Sequence, residues 1–300
     1  MLAAFGALVL VVASCASDES TTAGATASTG GGSGPTAAAT GGSGGGNDGP
    51  TADGATGGGP GSAGSAAGGG AGSATTGSSE PTPQVIEVGS RPVGGVATAL
   101  LQPGRGDRVV VEIRAQAGAA PRQATIDHLV RVLQAASGKA VSVDSIDGMS
   151  GGARDWTQQQ VISAAASAAQ IESGRSQVVL RLLFLRGTYQ GDGGVLGVAV
   201  AGDVAAVFSD RVNSAAGLLV DPGVVEDAVT MHEVGHLLAL VDLILGTGRG
   251  DPEHPGHSRN KRSVMYWQVE SNLISQLFDG GIPRDFDADD RAELAQIRAG

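Results

Sequence analysis

Apolar and polar positions from residue 108 onward fall into blocks whose period changes, and each period names an element. Residues 108–114 (RVVVEIR) are β-branched, with Gly and Asp before them and Gly, Ala and Pro after, which predicts a strand. Across 123–136, Ile126, Leu129, Val130, Val132 and Leu133 recur at helical spacing until Gly138 stops the pattern. Residues 140–146 read as a second strand. Residues 155–171, alanine-rich with Val161, Ile162, Ala165 and Ala168 on one side, read as a second helix. The dense apolar run 177–185 has strand length and is expected to be buried on both faces. Residues 195–208 supply one or two further strands, rich in Val and Gly. A helix then starts at Asp221-Pro222, a cap followed by proline, and runs through Val225, Val229, Leu237, Leu238 and Val241. A last helix begins at Asp287, where acids suit its positive end. This order predicts an α/β (α+β) fold with a mixed twisted sheet.

The first 84 residues follow neither period. Residues 2–13 form an apolar run too short to span a bilayer but suited to the core of an export signal. It closes on Val12-Ala13-Ser14-Cys15, which resembles the bacterial lipobox. That resemblance implies cleavage before Cys15 and acylation of its thiol and new amino terminus, enough acyl chains for stable anchoring. Residues 16–84 hold 22 of the 50 glycines, no aromatic residue and little beyond Gly, Ser, Ala and Thr. Such a stretch buries too little apolar surface to offset its ordering entropy, so it is expected to be a disordered linker, with a reach of roughly 45 Å. The expected organisation is a signal peptide at 1–15, a linker at 16–84 and one folded domain at 85–300. The protein is expected to be exported, lipid-anchored to the bacterial cell membrane on its extracellular or periplasmic side, and monomeric.

Charge removes one class of partner. The net charge is −11, and setting aside the linker's five acids (Asp18, Glu19, Asp48, Asp53, Glu80) still leaves about −6 on the remainder. Nothing would supply the counterion-release term of nucleic-acid binding. The single cysteine, Cys15, excludes internal disulfides and multi-cysteine metal sites.

Four of the five histidines lie between 232 and 257, and they set the chemistry. His232-Glu233-Val234-Gly235-His236 places two imidazoles four residues apart on one helix face, able to hold one metal ion, with Glu233 beside them. A catalytic zinc site needs a third protein ligand. Three candidates compete, in the order His257, Asp242, His254. Asp242 stands six residues after His236, but Ala239 lies between them without a helix-breaking glycine, and a helix continuing past it would turn Asp242 away. Gly246, Gly248, Gly250, Pro252, Pro255 and Gly256 mark a loop ahead of His257. Other singled-out residues read as packing: His128 as a surface or half-buried histidine of its helix, and Trp156 and Trp267 as apolar contacts.

The motif together with His257-Ser258 and Ser263-Val264-Met265-Tyr266 resembles the metzincin clan of zinc metallopeptidases, nearest to matrixins. The specific part of the likeness covers residues 232–267. It implies one catalytic Zn2+ held by His232, His236 and His257, with Met265 in a Met-turn beneath the metal. It also implies Glu233 as general base toward a water activated by zinc, and a peptide or protein substrate. Residues 194–201 are expected to form the sheet edge that receives the peptide, with Gly193, Gly194 and Gly197 letting its backbone approach. Two other readings compete. A catalytically inactive metzincin-like binding module would explain Ala239, and a cell-surface spacer would explain the linker but not the histidines.

Overall fold

A computed structural model describes residues 86–217, 220–270 and 281–300. All lie in one of the chain's two compact units, the one that contains Glu80–Gly300. The signal peptide, Cys15 and the linker fall outside the described residues. Among these, no helix is long and apolar enough to cross a membrane.

The elements in order are α1 (Ala97–Leu101), β1 (Arg108–Gln116), α2 (Gln123–Ser137), β2 (Ala140–Met149), β3 (Arg154–Trp156) and α3 (Gln158–Ala168). There follow β4 (Gln177–Leu185), β5 (Gly187–Tyr189), β6 (Gly197–Ala201), β7 (Val204–Phe208), α4 (Ser209–Ala216), α5 (Pro222–Leu237) and α6 (Ala288–Ala299). Five strands form a mixed sheet in the order β2-β1-β4-β7-β6, parallel throughout except for β6, which pairs antiparallel with β7 at the edge. β1 and β4 lie inside it, in register Val111 to Leu180, and are buried in all but their first residues. One face of both strands is apolar, while the other, also covered, carries the buried polar Glu112, Arg114, Gln116 and Arg181 beside Leu183 and Leu185. On one face Val109, Val111, Leu180 and Leu182 pack with Leu129 and Leu133 of α2 and Val225 and Val229 of α5. On the other, Leu183 and Leu185 pack with Val161 and Ala165 of α3 and with Phe208.

Three features depart from the sequence reading. The helix expected at 155–171 is shorter, because Arg154–Trp156 pairs as a strand with Gly187–Tyr189. A Cβ at Gly187 would lie 1.9 Å from the Arg154 carbonyl oxygen, so only glycine admits that pairing. Thr157 then caps α3, its hydroxyl accepting from the Gln160 N–H while the Gln160 side chain accepts from the Thr157 N–H. Beyond α3, the N–H groups of Gln170 and Ile171 donate to the fully buried Glu112 carboxylate on β1, which also pairs with Arg114. Second, α1 and α4 are short helices without a sequence signal of their own.

The third departure bears on the site. The helix does not run on through Val241: α5 stops at Leu237, and Ala239 adopts a left-handed conformation with φ 62°. The Leu240 N–H bonds the Gly235 carbonyl and the Ala239 N–H bonds the His236 carbonyl, both at 3.0 Å. These are the paired bonds of a helix end that ordinarily carries glycine at the left-handed position. Alanine there costs roughly 1 kcal/mol. Its methyl is fully buried against Gly94, where a Cβ would come within 2.8 Å of it.

Candidate metal centre

Asp221 caps α5 by accepting from the Gly223 N–H at 2.6 Å, and Pro222 fits the first turn. Every residue from Val225 to Leu237 is buried. Glu226 and Asp227 near its start are paired with groups on neighbouring segments. Glu226 accepts from the Arg122 N–H (2.7 Å) and the Thr125 hydroxyl (2.8 Å), tying α5 to the start of α2. Asp227 faces His128 at 3.5 Å, and His128 reaches Asp285 at 2.8 Å. His128 is thus a buried bridge between α2, α5 and the segment before α6, rather than a surface residue.

One turn further on, His232 and His236 project side by side with ring centroids 4.7 Å apart. His257 joins them from the far loop, at 5.1 Å from the first ring and 4.9 Å from the second. One nitrogen from each ring lies within 4.8 Å of the others, and all three residues are buried. The Nδ1 of His232 meets the Val264 carbonyl at 2.7 Å. A carbonyl only accepts, so Nδ1 carries the proton and Nε2 keeps its lone pair for a metal. That Nε2 faces the His236 Nε2 at 3.0 Å.

The chain returns to this point because the 242–258 loop is fastened internally. The Asp251 N–H donates to the His257 carbonyl at 2.7 Å, the His257 N–H donates to the His254 carbonyl at 3.1 Å, and Gly256 turns at φ 82°. The Ser258 N–H then bonds the Met265 carbonyl at 2.8 Å, which fixes the following turn against His257. Met265 is fully buried beneath α5: a Cβ at Gly235 would stand 2.2 Å from its sulfur. Glycine inside the motif is thus the space that Met265 occupies.

The other two candidates lie outside the trio. Asp242, itself at φ 64°, spends its carboxylate on the loop. It accepts from the N–H groups of Thr247 (2.5 Å), Gly248 (3.1 Å) and Gly250 (2.9 Å) and from the Thr247 hydroxyl. Burial pushes its pKa up, but those donors outweigh it and hold the carboxylate below its ordinary value. His254 contacts Asp251 at 3.2 Å and stacks flat on Trp267, centroids 4.3 Å apart at 7°.

Glu233 is fully buried, and Gly197 makes room for it: a Cβ there would meet its Oε1 at 2.5 Å and Val229 at 2.7 Å. The glycine expected to admit a substrate backbone serves the Glu233 side chain instead. β6, which carries it, is indeed an edge strand. Tyr189 on β5 also belongs to this neighbourhood, since burial and then the charge of Glu233 raise its phenol pKa. Sequence spacing offers no signal for Tyr189, because a three-residue strand places it there.

The half-buried Arg249 completes the frame. It pairs with Asp290 (2.7 Å) and Glu293 (2.5 Å) of α6, while Glu293 also accepts from the N–H groups of Val241 and Asp242, both at 3.1 Å. The last helix therefore clamps both ends of the turn that follows the histidine pair.

No protein-family model and no curated protein matches the sequence. Solved structures do. The chain is similar to archaemetzincin AmzA from Archaeoglobus fulgidus, solved in complex with malonate, at 19% identity and a TM-score of 0.37, over 62% of this chain and 99% of that one. It is also similar to the archaemetzincin from Methanopyrus kandleri, at 18% identity and a TM-score of 0.45, over 64% of this chain and 97% of that one.

Proposed function

We propose that this protein is a zinc-dependent endopeptidase held at the outer surface of a bacterial cell membrane through Cys15. The observation that carries the reading is the buried convergence of His232, His236 and His257 with Glu233 on the same helix. Three imidazoles, one of them oriented through its other nitrogen by a backbone carbonyl, are a donor set that suits zinc and leaves a coordination position open. A zinc ion there supplies Lewis acidity toward a carbonyl oxygen and lowers the pKa of water toward neutrality.

The chain's own residues do the rest. Glu233 accepts the proton of the attacking water and returns it to the leaving amine. Among the described residues β6 pairs with another strand on one side only, and an extended peptide adds main-chain hydrogen bonds along the other. Trp267, stacked on His254, borders the loop that brings in the third ligand.

The test is zinc content and peptide hydrolysis by the full chain, beside His257→Ala and Glu233→Gln. About one zinc per chain, a large loss of zinc in His257→Ala, and retained zinc with lost activity in Glu233→Gln support the reading. No zinc in the folded protein overturns it. Zinc without hydrolysis turns it into an inactive, tethered binding module. Membrane attachment is tested separately: Cys15→Ser is expected to release the protein from the membrane fraction and to abolish acyl labelling.

A further inference from the structure

Away from the histidines, α2 and α6 enclose a groove of about 490 Å³, a volume within the range of small-molecule sites. The two helices run in the same direction there. His128 near the start of α2 meets Asp285 ahead of α6, and Arg298 at the end of α6 lies against Gly138 at the end of α2. The walls are small and apolar, with Val132, Ala135 and Ala136 from α2 and Leu294 and Ala295 from α6.

Three guanidinium groups line this apolar trough: Arg131, Arg291 and Arg298. Arg291 folds back to the Phe286 carbonyl, which brings its charge to the end of the groove where Arg131 and His128 stand. Arg298 lies two helical turns away, about 10.5 Å along the axis. The one acid in the lining, Asp285, already faces His128 at 2.8 Å. The groove is therefore cationic beside an apolar strip, in a protein that is otherwise acidic.

We propose that this groove binds a single-chain amphipathic carboxylate. Its head group sits by Arg131 and Arg291, and its alkyl chain lies along Val132, Ala135 and Leu294 toward Arg298. Guanidinium groups favour carboxylates through charge-assisted hydrogen bonds, and the apolar strip rewards each methylene removed from water. The site does not depend on a metal, so its failure and that of the peptidase reading are separable.

The test is calorimetric titration of the full chain with decanoate below its micelle threshold, in zinc-loaded and chelator-treated protein. One decanoate per chain is expected in both forms. Octanoate, two methylenes shorter, is expected to bind about 15-fold more weakly, and a decyl ammonium compound not measurably. Arg131→Gln should weaken decanoate at least tenfold. Ala295→Trp should abolish binding by filling the trough. Both positions are exposed, so neither substitution threatens the fold. Binding that disappears with the metal, equal binding of the ammonium compound, or indifference to both substitutions overturns the proposal.

Discussion

Gly197→Ala tests how closely Glu233, the proposed general base, is held. The added Cβ would stand 2.5 Å from Glu233 Oε1, 2.9 Å from its Cγ and 2.7 Å from Val229 Cγ1, where ordinary contact begins at 3.4 Å. The branched Val229 has little freedom on a helix, so the carboxylate yields, by about 1 Å. A displacement of that size at a reacting group costs on the order of 100-fold in rate. The accompanying overpacking costs about 1–3 kcal/mol, which a domain of ordinary stability survives. The three atoms nearest the new methyl belong to Glu233 and Val229 and not to a histidine, so zinc content should stay at the parent level. The assay is kcat/KM on a quenched fluorescent peptide, with zinc per chain and the urea midpoint measured on the same preparations. Gly193→Ala is the control, since its nearest atom is the mobile end of Arg211 at 3.3 Å, and it should behave as the parent does. A Gly197→Ala protein with full zinc and unchanged kcat/KM would refute the argument, because Glu233 would then not be the base or not be confined by β6.

Ala239→Val forces a β-branched side chain into the left-handed conformation against Gly94, and should lower stability by about 2 kcal/mol or more in urea unfolding. Asp242→Asn should destabilise the protein at neutral pH. Because the pKa of Asp242 is depressed in the folded state, its contribution is present above the ordinary carboxylate range of about 4 and fades as pH falls through the depressed value. The gap between the two urea midpoints is therefore expected to close in acid. Glu293→Gln removes the charge that pairs with Arg249 and weakens the acceptor for Val241 and Asp242. Zinc affinity by chelator competition should fall about 10–100-fold, as for other outer supports of metal ligands, while the urea midpoint of the metal-free protein moves less.

The sheet strands and the long helices were legible because their periods are clean: the runs at 108–114 and 177–185 have no competing interpretation. What the sequence concealed lies where a local rule is broken for a distant partner. The end of α5 looked open because a left-handed alanine carries no sequence mark, and its room comes from Gly94, far back in the chain. Asp155 looked helical because nothing nearby shows that Gly187 admits a strand beside it. In the site, the four-residue spacing placed His232 and His236 together by helix geometry alone. Bringing His257 to them required the bonds of a long loop, which periodicity does not describe. His257 already ranked ahead of Asp242 and His254, and the structure adds what occupies those two instead, the loop N–H groups and the Trp267 ring.

The clamp of Arg249, Asp290 and Glu293 gives the molecule a schedule. During synthesis the imidazole pair on α5 emerges well before Asp290 and Glu293, which lie on α6, far along the chain from His236. A chain lacking Glu293 presents two histidines on a helix but leaves Arg249 and the N–H groups of Val241 and Asp242 without the carboxylate that ties them together. The frame around the three imidazoles is thus completed only after α6 has been made.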